Sequence, residues 1–283
     1  CGIVGYCSKG TEKENEDIIK DMIKSLNHRG PNFSNYFYDP DNNIYIGHTR
    51  LSIIELNETG NQPLIFQNSG NVLSYNGEIY NYKILRSKIE NDYNVKWKGS
   101  SDTEVLLNHL EFYGLEETLK SIKGMFAFSY YLKKENKLYL ARDRMGEKPI
   151  YYGFNNEIFF FSSELKSIIL HPKFDKKLDM QSLNLLMSFN YIPAPKTIFK
   201  NIYKLKPAHY IDIDLKKIEY NEKIIQKEYW SLRTNSNKSN TRTFFSSTDQ
   251  KRKSYKKKDE YYKKKESTFY ETAPNPRKNG ERG

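Results

Sequence analysis

The sequence predicts an α+β protein built on antiparallel sheets. Extended apolar runs follow one another with helices only at intervals, and the regular strand–helix alternation of a doubly wound fold is missing. The chain also holds 23 Tyr and 16 Phe, side chains that pack well on a half-buried pleated surface. At 283 residues there is room for one large domain or two modest ones.

The elements follow from local pattern. Between Glu14 and Asn27, the residues Ile18, Ile19, Met22, Ile23 and Leu26 recur at helical spacing and make one buried face. His28-Arg29-Gly30-Pro31 stops that helix, with Gly and Pro where helices end. Asn43–His48 and Asn71–Tyr75 read as strands. Ser101-Asp102-Thr103-Glu104 has capping-box spacing; it opens a helix through Val105, Leu106, Leu107 and Leu110 that Gly114 closes. Strands are predicted at Met125–Leu132, Lys137–Arg142, Ile150–Phe154 and Glu157–Ser162, and helices at Glu164–Leu170 and Met180–Phe189. Tyr191-Ile192-Pro193-Ala194-Pro195 reads as a rigid connector.

After Trp230 the periodicity stops and Asn, Ser and Lys dominate. Residues 231–283 hold 15 Lys and Arg against 6 Asp and Glu, so +9 of the net +11 lies there and +2 remains for residues 1–230. Such a segment buries too little apolar surface to offset its ordering entropy, and a basic disordered tail is expected. Polybasic tails bind phosphate backbones non-specifically, but this one has no recognisable nucleic-acid fold. A solvated end is favoured over a nucleic-acid contact. No apolar stretch approaches the roughly 20 residues that span a bilayer, and no targeting peptide is visible. The expected location is the cytoplasm. The two cysteines, Cys1 and Cys7, would lie about 20 Å apart on one strand. That excludes a bridge between them, and Cys7 reads as a small buried hydrophobe.

The leading residue carries the sharpest chemistry. Cys1, followed by Gly2-Ile3-Val4-Gly5, puts a thiol and an α-amine on one carbon. An α-amine titrates at ~7.7–8.0 and is partly neutral at pH 7, so it can accept the thiol proton. One residue can then be nucleophile and base; the plain alternative is a cropped chain end. Arg50, in Gly47-His48-Thr49-Arg50-Leu51-Ser52-Ile53, can fork onto a carboxylate, although a surface salt bridge is the favoured local reading. Asn76-Gly77 between extended runs is first of all a type I′ turn. The same pair offers two donors that can stabilise an oxyanion. Asp102 suits the first turn of a helix; beside Glu78 it can instead hold an ammonium. The five histidines form no metal-ligand spacing with Cys or acidic residues, and no P-loop is present.

Taken in order, these segments resemble the glutaminase half of the glutamine-hydrolysing asparagine synthetases of the B type. The resemblance rests on Cys1 to Gly5, His28 to Pro31, Gly47 to Ile54, Asn61-Gln62-Pro63 and Tyr75 to Asn81. It continues through Ser101 to Glu104, Gly124 to Phe128, Ala141 to Tyr152, Ser162 to Lys166 and Tyr191 to Phe199, and ends near Trp230. Other class II glutamine amidotransferases share the Cys1 start and an Asn-Gly pair, and those feeding glucosamine-phosphate or phosphoribosylamine synthesis are the nearest competitors. The Arg142–Pro149 loop, Ser163–Lys166 and Pro193–Phe199 favour the asparagine synthetase type.

The resemblance implies a four-layer αββα sandwich of two antiparallel sheets, the N-terminal nucleophile hydrolase fold. It implies a glutaminase domain over 1–190 and a connector over 191–230 that resembles the start of a synthetase part. It also implies roles. Cys1 attacks the side-chain amide of L-glutamine, Asn76 and Gly77 hold the oxyanion, and Arg50 grips the α-carboxylate. Glu78 and Asp102 hold the α-ammonium, and the backbone of Leu51, Ser52, Ile53 and Ile54 lines the pocket. No cofactor is implied for this step; ATP and Mg belong to the family's synthetase half, with its Ser-Gly-Gly-x-Asp-Ser loop. Nothing after Trp230 resembles that half, so this chain alone is not expected to make asparagine. It reads as a truncated or frame-shifted copy, or as one that hands ammonia to a separate synthetase partner. The contrasting reading is a catalytically incomplete relic serving as a scaffold. A smaller departure is Asn32, where the family has Asp; a local turn role is expected for it.

Overall fold

The alternation of apolar side chains decides which way each strand faces in the computed structural model, which describes residues 1–8, 16–217 and 224–232. In β1 (Gly2–Ser8), Ile3 and Cys7 enter one core layer while Val4 and Tyr6 enter another. Helix α1 (Glu16–Lys24) lays Ile19, Met22 and Ile23 against that second layer. Next come β2 (Phe33–Asp39), β3 (Ile44–Arg50), β4 (Leu64–Ile65), β5 (Val72–Ile79), α2 (Tyr82–Asp92) and α3 (Asp102–Ser121). Then follow β6 (Gly124–Leu132), β7 (Lys137–Arg142), β8 (Tyr151–Asn155), β9 (Ile158–Ser162), α4 (Leu165–Ile168) and α5 (Met180–Phe189). The last strands are β10 (Ile202–Lys204), β11 (His209–Asp214) and β12 (Lys227–Glu228).

The strands make two 6-stranded sheets, ordered β10-β8-β9-β1-β3-β2 and β12-β11-β7-β6-β5-β4. Every strand pair in them is antiparallel. Ile3, Ile46, Val72, Ala127, Phe159, Phe161 and Ile211 fill the space between the sheets. The first sheet's outer face is covered by α1 and by Ile168 of α4, and the second's by Leu85 and Ile89 of α2 and Val105, Leu106 and Leu110 of α3. The layers run helix, sheet, sheet, helix, and the α+β sandwich expected from the sequence is the fold.

Several elements differ from the sequence reading. Asn76-Gly77 is not a turn: both residues lie inside β5, where Gly77 pairs with Phe126. Glycine is required there by proximity, since a Cβ on Gly77 would meet the Met125 carbonyl oxygen at 2.2 Å. The positive-φ pair expected of a type I′ turn occurs instead at Asn156-Glu157 (φ 48 and 62), between the paired Asn155 and Ile158 of β8 and β9. Gly114, at φ 77, kinks α3 rather than ending it, and helical structure resumes to Ser121. The helix expected over Glu164–Leu170 is a single turn.

The boundary placed at 190 is not a packing boundary, because β10 pairs with β8 and β11 with β7 and bury Ile202 and Ile211. Residues 1–231 form one compact unit. Strand β2 shows no apolar alternation in the sequence because it is an edge strand in which Ser34 and Asn35 are exposed and only Asp39 is buried. Helix α2 buries only Leu85 and Ile89. The tail expected over 231–283 lies outside the described residues beyond Leu232.

One buried carboxylate organises the loop after β7. Asp143, fully buried, accepts backbone N–H bonds from Met145 (3.0 Å), Glu147 (2.9 Å), Lys148 (2.9 Å) and Phe126 (3.3 Å). The substitution Asp143→Ala removes the shared acceptor and leaves these donors unpaired, at ~1–3 kcal/mol each before water relaxes part of it. Urea unfolding is expected to register a loss of at least about 3 kcal/mol.

Candidate active site

The antiparallel register brings chain-distant residues to one end of the sandwich. Gly2 lies opposite Thr49, so Cys1, one residue earlier, emerges beside Arg50 at the end of β3. Ser163 anchors the start of β1, accepting the Ile3 N–H on its Oγ (3.0 Å) and donating its own N–H to the Ile3 carbonyl (2.8 Å). The Cys1 amine donates to the Arg29 carbonyl (2.7 Å), and the Arg29 Nε–H donates back to the Cys1 carbonyl (3.1 Å). The Leu51 N–H points at Cys1 Sγ (3.4 Å). Burial, and then the positive charges of Arg29 and Lys148, lower the pKa of the amine from the usual 8.0 to about 6. At neutral pH the nitrogen beside the thiol is therefore largely unprotonated and able to take its proton.

The second sheet supplies the opposing wall. Asn76 is buried, and its Nδ2 has no hydrogen-bond partner among the described residues. An unpaired buried donor is costly, which is a reason to look for a ligand that it serves. Along the exposed edge of β5 the N–H of Tyr75 is taken by Gln62 Oε1 (2.7 Å) and that of Ile79 by Asp102 Oδ2 (3.0 Å). Strand alternation puts the Gly77 N–H on the same edge, between these two capped groups. Consistent with this, Phe126, opposite Gly77, turns its N–H and C=O the other way, to Asp143. Asn76 and Gly77 thus face the cavity from β5 itself, with no turn involved.

Arg50 is buried, and although the Glu55 charge favours its protonated form, no carboxylate oxygen hydrogen-bonds to it among the described residues. Its guanidinium is aimed by neutral acceptors: the carbonyls of Asn57 (2.8 Å) and Glu55, and Asn61 Oδ1 (2.7 Å). This replaces the surface salt bridge favoured from sequence. Asp102 is placed by the cap of α3, where Ser101 Oγ accepts the Glu104 N–H (3.2 Å). It also accepts the Tyr75 hydroxyl (2.8 Å). Burial, reinforced by the negative charge of Glu78, raises the Asp102 carboxyl above its ordinary range.

Cys1, Arg50, Leu51, Ile53, Ile54, Asn76, Gly77, Glu78 and Asp102 all line one cavity of about 120 Å³. Ser52 does not; its N–H is held by Asn32 Oδ1 (3.0 Å), so Asn32 does support the local turn. Gln62, Glu55, Tyr75, Met125 and Lys148 also line the cavity, although no local pattern marks them for a role there. Asn61-Gln62-Pro63 was visible as a matching segment, but nothing in a linear pattern shows that Gln62 caps β5. Glu55 is already engaged, its Oε2 accepting from the Ser100 N–H (2.9 Å) and hydroxyl (2.8 Å). Among the described residues no His, Cys, Asp or Glu cluster could hold a metal ion, and no helix is long and apolar enough to cross a membrane.

Two antiparallel sheets between helices, with the Cys1 thiol at the end of a strand, make the fold of the N-terminal nucleophile type. The chain belongs to the glutamine amidotransferase domain family, whose model matches residues 1–230. It is 35% identical over 256 residues to a putative glutamine-hydrolysing asparagine synthetase 2 of Methanocaldococcus jannaschii, covering 82% of this chain and 47% of that relative. It is 38% identical over 211 residues to the glutamine-hydrolysing asparagine synthetase 1 of Bacillus subtilis, covering 74% and 32%. The chain thus spans between about a third and half of the length of these curated relatives. Its fold is similar to that of the glutamine phosphoribosylpyrophosphate amidotransferase of B. subtilis, with a TM-score of 0.59 at 19% identity, covering 81% of this chain and 49% of that one.

The two thiols differ sharply. Cys7 is buried, and that burial pushes its thiol up to about 12, whereas Cys1 is partly exposed. Brief treatment of the folded protein with iodoacetamide at pH 7.5 is expected to add one carbamidomethyl group, located at residue 1 by peptide mass mapping.

Proposed function

We propose that this chain hydrolyses L-glutamine to glutamate and ammonia through a thioester on Cys1. The observation that carries this reading is the facing arrangement across one small cavity. A thiol beside a neutral amine lies on one side, and the unpaired Asn76 Nδ2 with the edge N–H of Gly77 lies on the other. In this scheme Sγ attacks the side-chain amide carbon while the amine takes the thiol proton. The tetrahedral oxyanion is held by Asn76 and Gly77. The carbon–nitrogen bond then breaks, the amine returns the proton to the departing ammonia, and a γ-glutamyl thioester remains. Water cleaves it to glutamate and restores the thiol.

The head group explains the rest of the cavity. A free amino acid needs one cationic and one anionic clamp. Arg50, tethered only by neutral acceptors, keeps its charge for the α-carboxylate. Glu78 and Asp102 receive the α-ammonium, and an arriving cation offsets the unfavourable burial of Asp102. The step as written uses no cofactor. We assign the domain to the asparagine synthetase type because its curated relatives carry that name. The ammonia would pass to a synthetase-type acceptor; ATP and Mg would serve that acceptor and not the hydrolytic step.

A coupled assay is expected to detect glutamate release from glutamine without ATP. Cys1→Ala should lower the rate at least about 10³-fold, and Asn76→Ala should lower kcat by ~10²–10³-fold, as for loss of an oxyanion donor. Activity in Cys1→Ala near the wild-type level would refute the mechanism. The pH profile gives an independent check. Because the amine titrates near 6 and acts when neutral, kcat/KM should fall as pH drops through about 6. An acid limb at 7.7–8.0, the range of an unperturbed α-amine, would exclude the buried amine as base.

A further inference from the structure

Two segments singled out in the sequence, His28-Arg29-Gly30-Pro31 and Ser162-Ser163-Glu164-Leu165-Lys166, touch no substrate group in the scheme above. In the fold they meet behind Cys1. Arg29 Nη1 donates to Glu164 Oε1 (2.8 Å), where His28 Nε2 also lies (2.9 Å), and Lys166 Nζ approaches Oε2 (3.3 Å). Arg29 in turn makes the reciprocal pair of bonds with Cys1, its carbonyl to the amine and its Nε–H to the carbonyl. The same guanidinium therefore binds Glu164 with one nitrogen and the nucleophilic residue with another.

We propose that Glu164 is a positioning residue for the Cys1 amine, acting through Arg29. The inference rests on the reading of that amine as the catalytic base. Arg29 is a long side chain with freedom to swing, and Glu164 is the only carboxylate among the described residues with which it forms an ion pair. Glu164 itself is held from behind. Ser162 Oγ accepts its N–H (3.2 Å), and Ser162 and Ser163 are tied to Ile3 of β1. The chain of contacts closes on itself: β1 fixes Ser162–Ser163, these place Glu164, Glu164 orients Arg29, and Arg29 clamps the residue that begins β1.

The pair also sets the charge felt by the amine. Arg29 and Lys148 each act against its protonation. Arg50 on β3, with Glu78 and Asp102, lines the same cavity as Cys1. Tyr151 of β8 lies within the influence of both Arg29 and Glu164. Glu164 stays ionised: burial alone would raise its carboxyl, but bonds from Arg29, His28 and Lys166 outweigh this and hold it near 2. It therefore neutralises part of the Arg29 charge throughout the working range.

This makes an opposed pair of outcomes. Glu164→Gln leaves the Arg29 charge uncompensated, so the amine should titrate lower and the acid limb of kcat/KM should move down by about half a pH unit. Arg29→Met removes the cation, so the limb should move up by a similar amount. Glu164→Asp should keep the wild-type limb. For Glu164→Gln, kcat should fall by about tenfold while KM for glutamine changes by less than about twofold, because neither Glu164 nor Arg29 lines the cavity. Competitive labelling with acetic anhydride, read on the N-terminal peptide by mass spectrometry, follows the amine without any substrate. Thermal melting of each variant checks that the fold is retained. Limbs and labelling curves that shift the same way in Glu164→Gln and Arg29→Met, or do not shift at all, overturn the proposal. Opposed labelling shifts in a protein that releases no glutamate would uphold the clamp and refute the glutaminase reading instead.

Discussion

The antiparallel pairing of β1 with β3 is the constraint on which the rest of the site depends. Gly2 opposite Thr49 fixes where the first residue emerges, and the next residue along β3 is Arg50. Side chains alternate on a strand, so a slip of one residue would turn Arg50 to the other face and move Cys1 away from Leu51. The register is well specified because both faces of β1 are buried, Ile3 and Cys7 in the inter-sheet core and Val4 and Tyr6 beneath α1. Core packing and nucleophile placement are thus one physical fact.

The second sheet is aligned to the first by polar bonds inside an otherwise apolar layer. His48 Nε2 lies 3.0 Å from the Tyr75 carbonyl oxygen, and Ser74 Oγ donates to the Gly47 carbonyl (3.3 Å). Each such bond contributes only about 1 kcal/mol net, but it has a direction, which hydrophobic contact lacks. Burial holds His48 down at about 3, so this strut stays neutral across the working range. It ties the strand that ends in Arg50 to the strand that carries Asn76 and Gly77. The carboxylate clamp and the oxyanion donors are thereby held at a set separation.

Much of this was legible in the chain. The strands over Lys137–Arg142 and Glu157–Ser162 (Ile158–Ser162 in the fold), the α5 helix and the capped start of α3 have strong local patterns. The residues at Cys1, Arg50, Asn76, Gly77, Glu78 and Asp102 could be named before any contact was known. What misled was local chemistry with two meanings. Asn-Gly signals a turn because glycine tolerates positive φ, yet Gly77 is glycine because β6 passes too close for a Cβ. Arg50 carries the charge of a surface salt bridge, yet it is buried and tethered by carbonyls. Ser52 was included with its neighbours, but it turns to Asn32 instead of the cavity. Local pattern shows the residue and not its neighbour 50 positions away.

By itself, the sequence determined where the strongly patterned strands and helices lie and which side chains are able to react, because periodicity and functional groups are properties of the chain. Only the tertiary structure decided that Cys1, Arg50, Asn76 and Asp102 share one cavity, that Gln62 and Asp102 cap the edge on either side of Gly77, and that Arg29 grips the first residue. Those relations depend on strand register and sheet stacking. Both are set by the simultaneous burial of many distant side chains, which no stretch of neighbouring residues encodes.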